Sequence, residues 1–93
     1  MGDEILIVDD EVDIRMLITG ILQDEGYETR DAGDSDTALE LLRQKRPNLV
    51  VLDIWLHNST LDGMEILDVI KREYPSVPVV MISGHGNIET AVN

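Results

Sequence analysis

The sequence predicts an α/β domain, a doubly wound parallel sheet with helices on both faces. Three observations carry that expectation. Strand-like and helix-like patterns alternate along the chain. The first, third and fourth strand candidates are nearly continuous apolar runs, as strands buried on both faces must be. Finally, the polar residues suited to chemistry fall where those strands end.

Residues 4–8, EILIV, form the first apolar run. From Val12 the period changes, with Ile14, Leu17, Ile18, Ile21 and Leu22 on one helical stripe and Gly26 as the stop. YETRDA, 27–32, is a more polar strand, as an outer strand would be. Asp34 or Ser35 can cap a second helix that reaches about Arg46, with Ala38, Leu39, Leu41 and Leu42 apolar and Pro47 ending it. LVVLD, 49–53, is the third strand. Asp62 can cap a third helix whose buried face is Met64, Leu67, Val69 and Ile70, running out near Tyr74 and Pro75. VPVVMI, 77–82, is the fourth strand, with Pro78 tolerable only at its beginning. After the loop SGHG, the segment NIETAVN is expected to begin a fourth helix.

The 93 residues, 43% hydrophobic and 28% charged, fit one small globular domain over 1–93 with no linker or repeat. No apolar stretch approaches the roughly 18 residues that a membrane helix needs. With no cysteine there are no disulfides or thiolate metal sites, which fits a reducing cytoplasm. The 19 acidic and 7 basic residues leave a net charge of −12. Such a surface repels phosphate backbones and anionic membranes, so small cations and basic protein surfaces are the better candidate partners.

In open parallel sheets, ligands bind outside the carboxyl ends of the strands where the strand order reverses. That rule selects Asp9, Asp10 and Glu11 after strand one, Asp53 ending strand three, and Ser83 after strand four. Acidic residues before a helix are ordinarily caps, and the Asp9–Asp10–Glu11 run alone reads that way. Asp53 changes the weighting, because right-handed crossovers set strands one and three side by side and bring the carboxylates into one crevice. Like charges so close raise one another's pKa unless a cation neutralises them, and hard carboxylate oxygens without His or Cys suit Mg²⁺. A carboxylate beside Mg²⁺ can be a nucleophile toward phosphorus, and Asp53 is the best placed. Ser83 could donate to a phosphoryl oxygen, with Gly84 leaving room for the group to enter, although Ser-Gly is also ordinary turn chemistry.

The motifs ILIVDDE, VVLDIW, LDG and VVMISGHG, in that order and each at a strand end, resemble the receiver domain of bacterial two-component response regulators. The resemblance extends over the whole chain and is closest to the nitrogen-regulation branch. It implies a flavodoxin-like (CheY-like) sheet of strand order 2-1-3-4-5. It further implies Asp53 as phosphoacceptor, Asp10 as a direct Mg²⁺ ligand and Asp9 as a ligand acting largely through water. The main-chain carbonyl of Trp55 would complete the ligands, and Ser83 would be the hydroxyl that moves toward the phosphoryl group. A sensor histidine kinase is the implied donor, with signalling through the fourth-helix surface. Two departures are visible. The stretch from Asp53 to Gly63 is longer than the family commonly has and lacks its proline, so HNST makes an extended rim loop. The family's fifth strand, phosphoryl-pairing lysine, switch aromatic and last helix have no counterpart here, so the sheet is expected to stop after strand four and the start of helix four. Strand four would then be a bare edge, inviting homodimerisation or domain swapping.

Trp55, the sole tryptophan, reads as packing on its ring side. His57 and His85 read as exposed loop residues, and the basic residues, Lys71 and Arg72 among them, as a solvated surface. Two rivals stand beside the receiver reading. A haloacid-dehalogenase-type phosphatase wants a second acid two positions after the nucleophile, where Trp55 stands. A flavodoxin-like module could bind Mg²⁺ or a partner without being phosphorylated.

Overall fold

The structure, a computed structural model, describes residues 3–83 and 88–91. The elements are β1 (Glu4–Val8), α1 (Val12–Asp24), β2 (Glu28–Ala32), α2 (Ser35–Gln44), β3 (Leu49–Asp53), α3 (Gly63–Glu73), β4 (Val79–Ile82) and β5 (Ile88–Ala91). They form one sheet of order β2-β1-β3-β4-β5, in which the first four strands are parallel. The expected alternation therefore holds through β4, with boundaries close to those read from the pattern.

Strand order fixes where the helices lie. The chain steps from β1 outward to β2, then returns past β1 to β3 and on to β4. Right-handed crossovers then place α1 on one face and α2 and α3 on the other. The core sits on the second face: Leu6, Val8, Val50, Leu52, Val79 and Met81 from the strands pack with Ala38 and Leu42 of α2 and Ile66, Leu67 and Ile70 of α3. The parallel register puts Leu6 beside Val50 beside Val79, and Val8 beside Leu52 beside Met81, so the rows match the pleat. Met64 is a correction: it is 51% exposed, and Ile66 takes the buried place expected of it. The capping box between Asp62 and Glu65 fixes where α3 begins and hence which of its residues turn inward.

On the first face Ile5 and Ile7 of β1 are buried, yet α1 contributes no buried residue. Its stripe is instead open, with Ile14 at 38%, Leu17 at 60% and Ile21 at 55% exposure. The expectation of a core face on α1 is met only in direction.

The C-terminal segment departs further. Ile88–Ala91 was expected to enter a helix, but it is a strand, antiparallel to β4 with Ile82 opposite Ile88 and Val79 opposite Ala91. The expected bare edge on β4 is thus paired within the chain. A strand edge offers a row of unpaired N–H and C=O groups to a neighbouring segment, and Ile88 and Thr90 are β-branched. Gly84 and His85 lie outside the described residues.

The basic residues are more engaged than a solvated surface suggests. Arg30 pairs with buried Glu4 at 2.7 Å and donates to the carbonyls of Leu41 and Lys45. It thereby ties β1 and β2 to the C-terminus of α2, where orphan carbonyls need donors.

Candidate functional site

β1 and β3 are neighbours whose crossovers leave in opposite directions, so the sheet has its switch point between them. Both strands run toward the same end, and Asp9, Asp10 and Asp53 meet there, each offering an oxygen within 4.8 Å of the others. Asp9 and Asp53 are buried, at 3% and 5% exposure. Asp10 is partly buried and Glu11 exposed. Glu11 is the N-cap residue of α1 but makes no side-chain cap bond, so capping does not account for the acidic run.

Local backbone turns hold the two buried acids. Asp9 Oδ1 accepts from the amide of Glu11 at 2.8 Å, and Asp53 Oδ1 accepts from the amide of Trp55 at 3.0 Å. The Asp9 amide donates to Ala32 O, and the Ile54 amide to Ile82 O, which fixes the strand ends on either side. Burial pushes the Asp9 carboxyl above the ordinary range; the Glu11 amide opposes this, and the charges of Asp53, Asp10 and Glu11 add to it. Asp53 is raised in the same way, first by burial and then by Asp10 and Glu11, against the pull of the Trp55 amide. Three carboxylates in mutual repulsion, two of them lifted from water, form a site that a small hard cation would relieve.

Ser83 follows β4, and its Oγ is buried without a hydrogen-bond partner. An unsatisfied buried hydroxyl is costly, and Ser83 directly follows Ile82, the register partner of Asp53 on the neighbouring strand. The donor set and the orphaned hydroxyl together fit Mg²⁺ with a phosphoryl group. Trp55 is 56% exposed, so its ring is not the packing element the sequence suggested, while its amide serves Asp53. His57 is exposed, as expected.

Three features of the surroundings were not anticipated. Gly63 begins α3 so close to β3 that a Cβ there would lie 2.3 Å from the Asp53 carbonyl and 2.8 Å from that of Ile54; only glycine permits this approach. The long rim loop is tied to α2: the Ser35 amide donates to Ser59 Oγ at 2.8 Å and the Leu61 amide to Ser35 Oγ at 3.0 Å. Asn58, at φ 54°, supplies the left-handed residue that turns the loop. Lastly, Arg15 of α1 donates from Nη1 to Asp9 O at 2.7 Å and from Nε to Asp31 Oδ2 at 2.6 Å. The LDG tripeptide was the signal available for Gly63; a serine or arginine whose partners are distant in sequence gives none.

Comparison with known proteins agrees with this fold. The family model described as response regulator receiver domain matches residues 5–93. The nitrogen assimilation regulatory protein NtrX of Azorhizobium caulinodans is 66% identical over 99% of this chain, which corresponds to 20% of that protein. Sporulation initiation phosphotransferase F of Bacillus subtilis is 35% identical over 96% of this chain and 70% of its own length. The crystal structure of the receiver domain of NtrX from Brucella abortus superposes with a TM-score of 0.85 at 63% identity, covering 89% of this chain and 69% of that one. The chain spans about a fifth of the length of the NtrX relatives it matches.

Proposed function

This chain belongs to the response regulator receiver domain family, and on that premise we propose that Asp53 accepts a phosphoryl group from a phosphohistidine of an NtrY-like sensor histidine kinase. The observation that carries the reading is the convergence of Asp9, Asp10 and Asp53 within 4.8 Å at the switch point of the sheet. In it, a carboxylate oxygen of Asp53 attacks phosphorus, the P–N bond breaks, and the departing imidazole takes a proton. Asp9, Asp10, Asp53 and the main-chain carbonyl of Trp55 would hold Mg²⁺, which when bound neutralises charge on the phosphoryl oxygens. The Trp55 amide holds the Asp53 carboxylate in orientation for attack. Ser83 Oγ, otherwise unpartnered, donates to a phosphoryl oxygen and registers its arrival.

Among the described residues no helix is long and apolar enough to cross a membrane. The reading places the domain in the cytoplasm, as a switch with weak self-phosphorylation and dephosphorylation chemistry; we propose that it serves transcription regulation in nitrogen control, the Azorhizobium caulinodans relative being named a nitrogen assimilation regulatory protein. The test is intact mass after incubation with acetyl phosphate and Mg²⁺, for wild type and Asp53→Asn. One added phosphoryl group in the wild type alone is the expected result. No addition to either, with folding verified by circular dichroism, would overturn the phosphoacceptor reading and leave a module that binds Mg²⁺ without reacting.

A further inference from the structure

Arg15 is the one basic side chain hydrogen-bonded to the acidic corner among the described residues, and its geometry is that of a brace. The Asp9 carbonyl that accepts from its Nη1 belongs to the same planar peptide unit as the amide of Asp10. Fixing that oxygen therefore fixes the orientation in which the chain enters Asp10. The amide side of Asp9 is already held by Ala32 O at 3.1 Å, so the residue is gripped at both of its peptide groups. The other arm of the guanidinium is anchored on Asp31 near the end of β2, and the side chain is 18% exposed. Gly33 makes room for it: a Cβ there would come within 3.0 Å of Nη1.

We propose that Arg15 is a positioning residue that aims the Asp9 and Asp10 carboxylates at Asp53. The proposal rests on the Mg²⁺ reading above and adds a residue to it. A planar fork can span an oxygen on each side, whereas a lysine ammonium is a point charge that cannot hold the same geometry. Electrostatics alone points the other way, since a fixed cation beside a cation site weakens binding and its removal should tighten it. The sign of the effect thus separates positioning from simple charge.

The experiment is Mg²⁺ titration of the purified protein by calorimetry, for wild type, Arg15→Met, Arg15→Lys and Gly33→Ala, with urea midpoints measured in parallel. Positioning predicts weaker Mg²⁺ binding by about tenfold to a hundredfold in both Arg15 variants, the range for loss of a group that orients metal ligands. Gly33→Ala pushes the guanidinium by a few tenths of an ångström without changing any charge, so it should weaken binding about twofold, less than either Arg15 variant, and remains informative if an Arg15 variant fails to fold. Unchanged or tighter binding in the folded variants, including the case where only the urea midpoint falls, overturns the proposal. Absence of Mg²⁺ binding by the wild type overturns the metal reading itself, and this proposal with it.

Discussion

On the face of the sheet that carries Leu6, Val8, Val50, Leu52, Val79 and Met81, every one of these side chains is buried, and α2 and α3 close over them. On the opposite face Ile5 and Ile7 are buried but Val51 and Val80 stay partly exposed, and the thirteen residues of α1 include none that is buried. Val12, Met16 and Leu17 of that helix are more than half exposed. Both faces are equally apolar in sequence, so the difference lies in what covers them. It teaches that a helical stripe in a sequence announces a surface that wants a partner and does not say that the partner is present. Asp53 stands on the less covered side, because the pleat alternates it with Leu52 and aligns it with Val51. Packing energy is thus concentrated on one face, and the charge chemistry opens toward the other.

The largest effects should come from the covered face. Leu52→Ala and Ile70→Ala, at sites with no exposed area, are each expected to cost about 2–5 kcal/mol in urea unfolding. Values below about 1 kcal/mol would mean that this face is looser than its burial indicates.

Next comes the charged end. Asp9 and Asp53 have folded-state pKa values raised above the unfolded ones, so the folded protein holds its protons to higher pH. Their contribution is fully present below the unfolded pKa and is lost as pH rises through the folded values, so without divalent cation these groups lower stability toward neutral pH. The exposed cap Asp34 has the opposite sign, since the Thr37 amide lowers its pKa, and its contribution fades as pH falls. In the absence of Mg²⁺, Asp53→Asn should therefore raise the urea midpoint at pH 7 relative to the wild type. Mg²⁺ at about a hundred times its dissociation constant should restore about 2.7 kcal/mol to the wild type, and much less to the variant. A wild-type midpoint indifferent to Mg²⁺ would break the link between the open face and a cation.

This division also marks what was legible in the sequence. The order of strands and helices through β4 was readable because the period changes cleanly, and Asp9, Asp10 and Asp53 because topology alone brings strand ends together. The fate of Ile88–Ala91 was not readable: residues that suit a strand or a helix are decided by whether an unpaired edge lies nearby. Met64 and Ile66 exchanged places because a cap set the helix phase, which periodicity fixes only loosely. Arg15, Arg30 and Ser35 were missed because a polar residue advertises nothing about a partner far away along the chain.

The smallest effects come from the helix ends and the open helix. Asp62→Ala removes the capping box of α3 and should cost about 1 kcal/mol, whereas Glu11→Ala, which loses no cap bond, should be near neutral. Leu17→Ala, at 60% exposure, should change stability by less than about 0.5 kcal/mol. A cost of several kcal/mol there would show that α1 is covered in solution, and the contrast between the two faces would collapse.

The crossed serines at the rim carry a consequence for motion. The Ser35 amide is sheltered only by a hydroxyl of the loop, and the Leu61 amide only by the hydroxyl of Ser35. Each proton exchanges when its own bond opens, but Ser35 is fully buried and takes part in both, so lifting the loop off α2 should expose the two amides, 26 positions apart, together. The loop beside the acid cluster and the first turn of α2 then breathe together, and a disturbance at either is felt at the other.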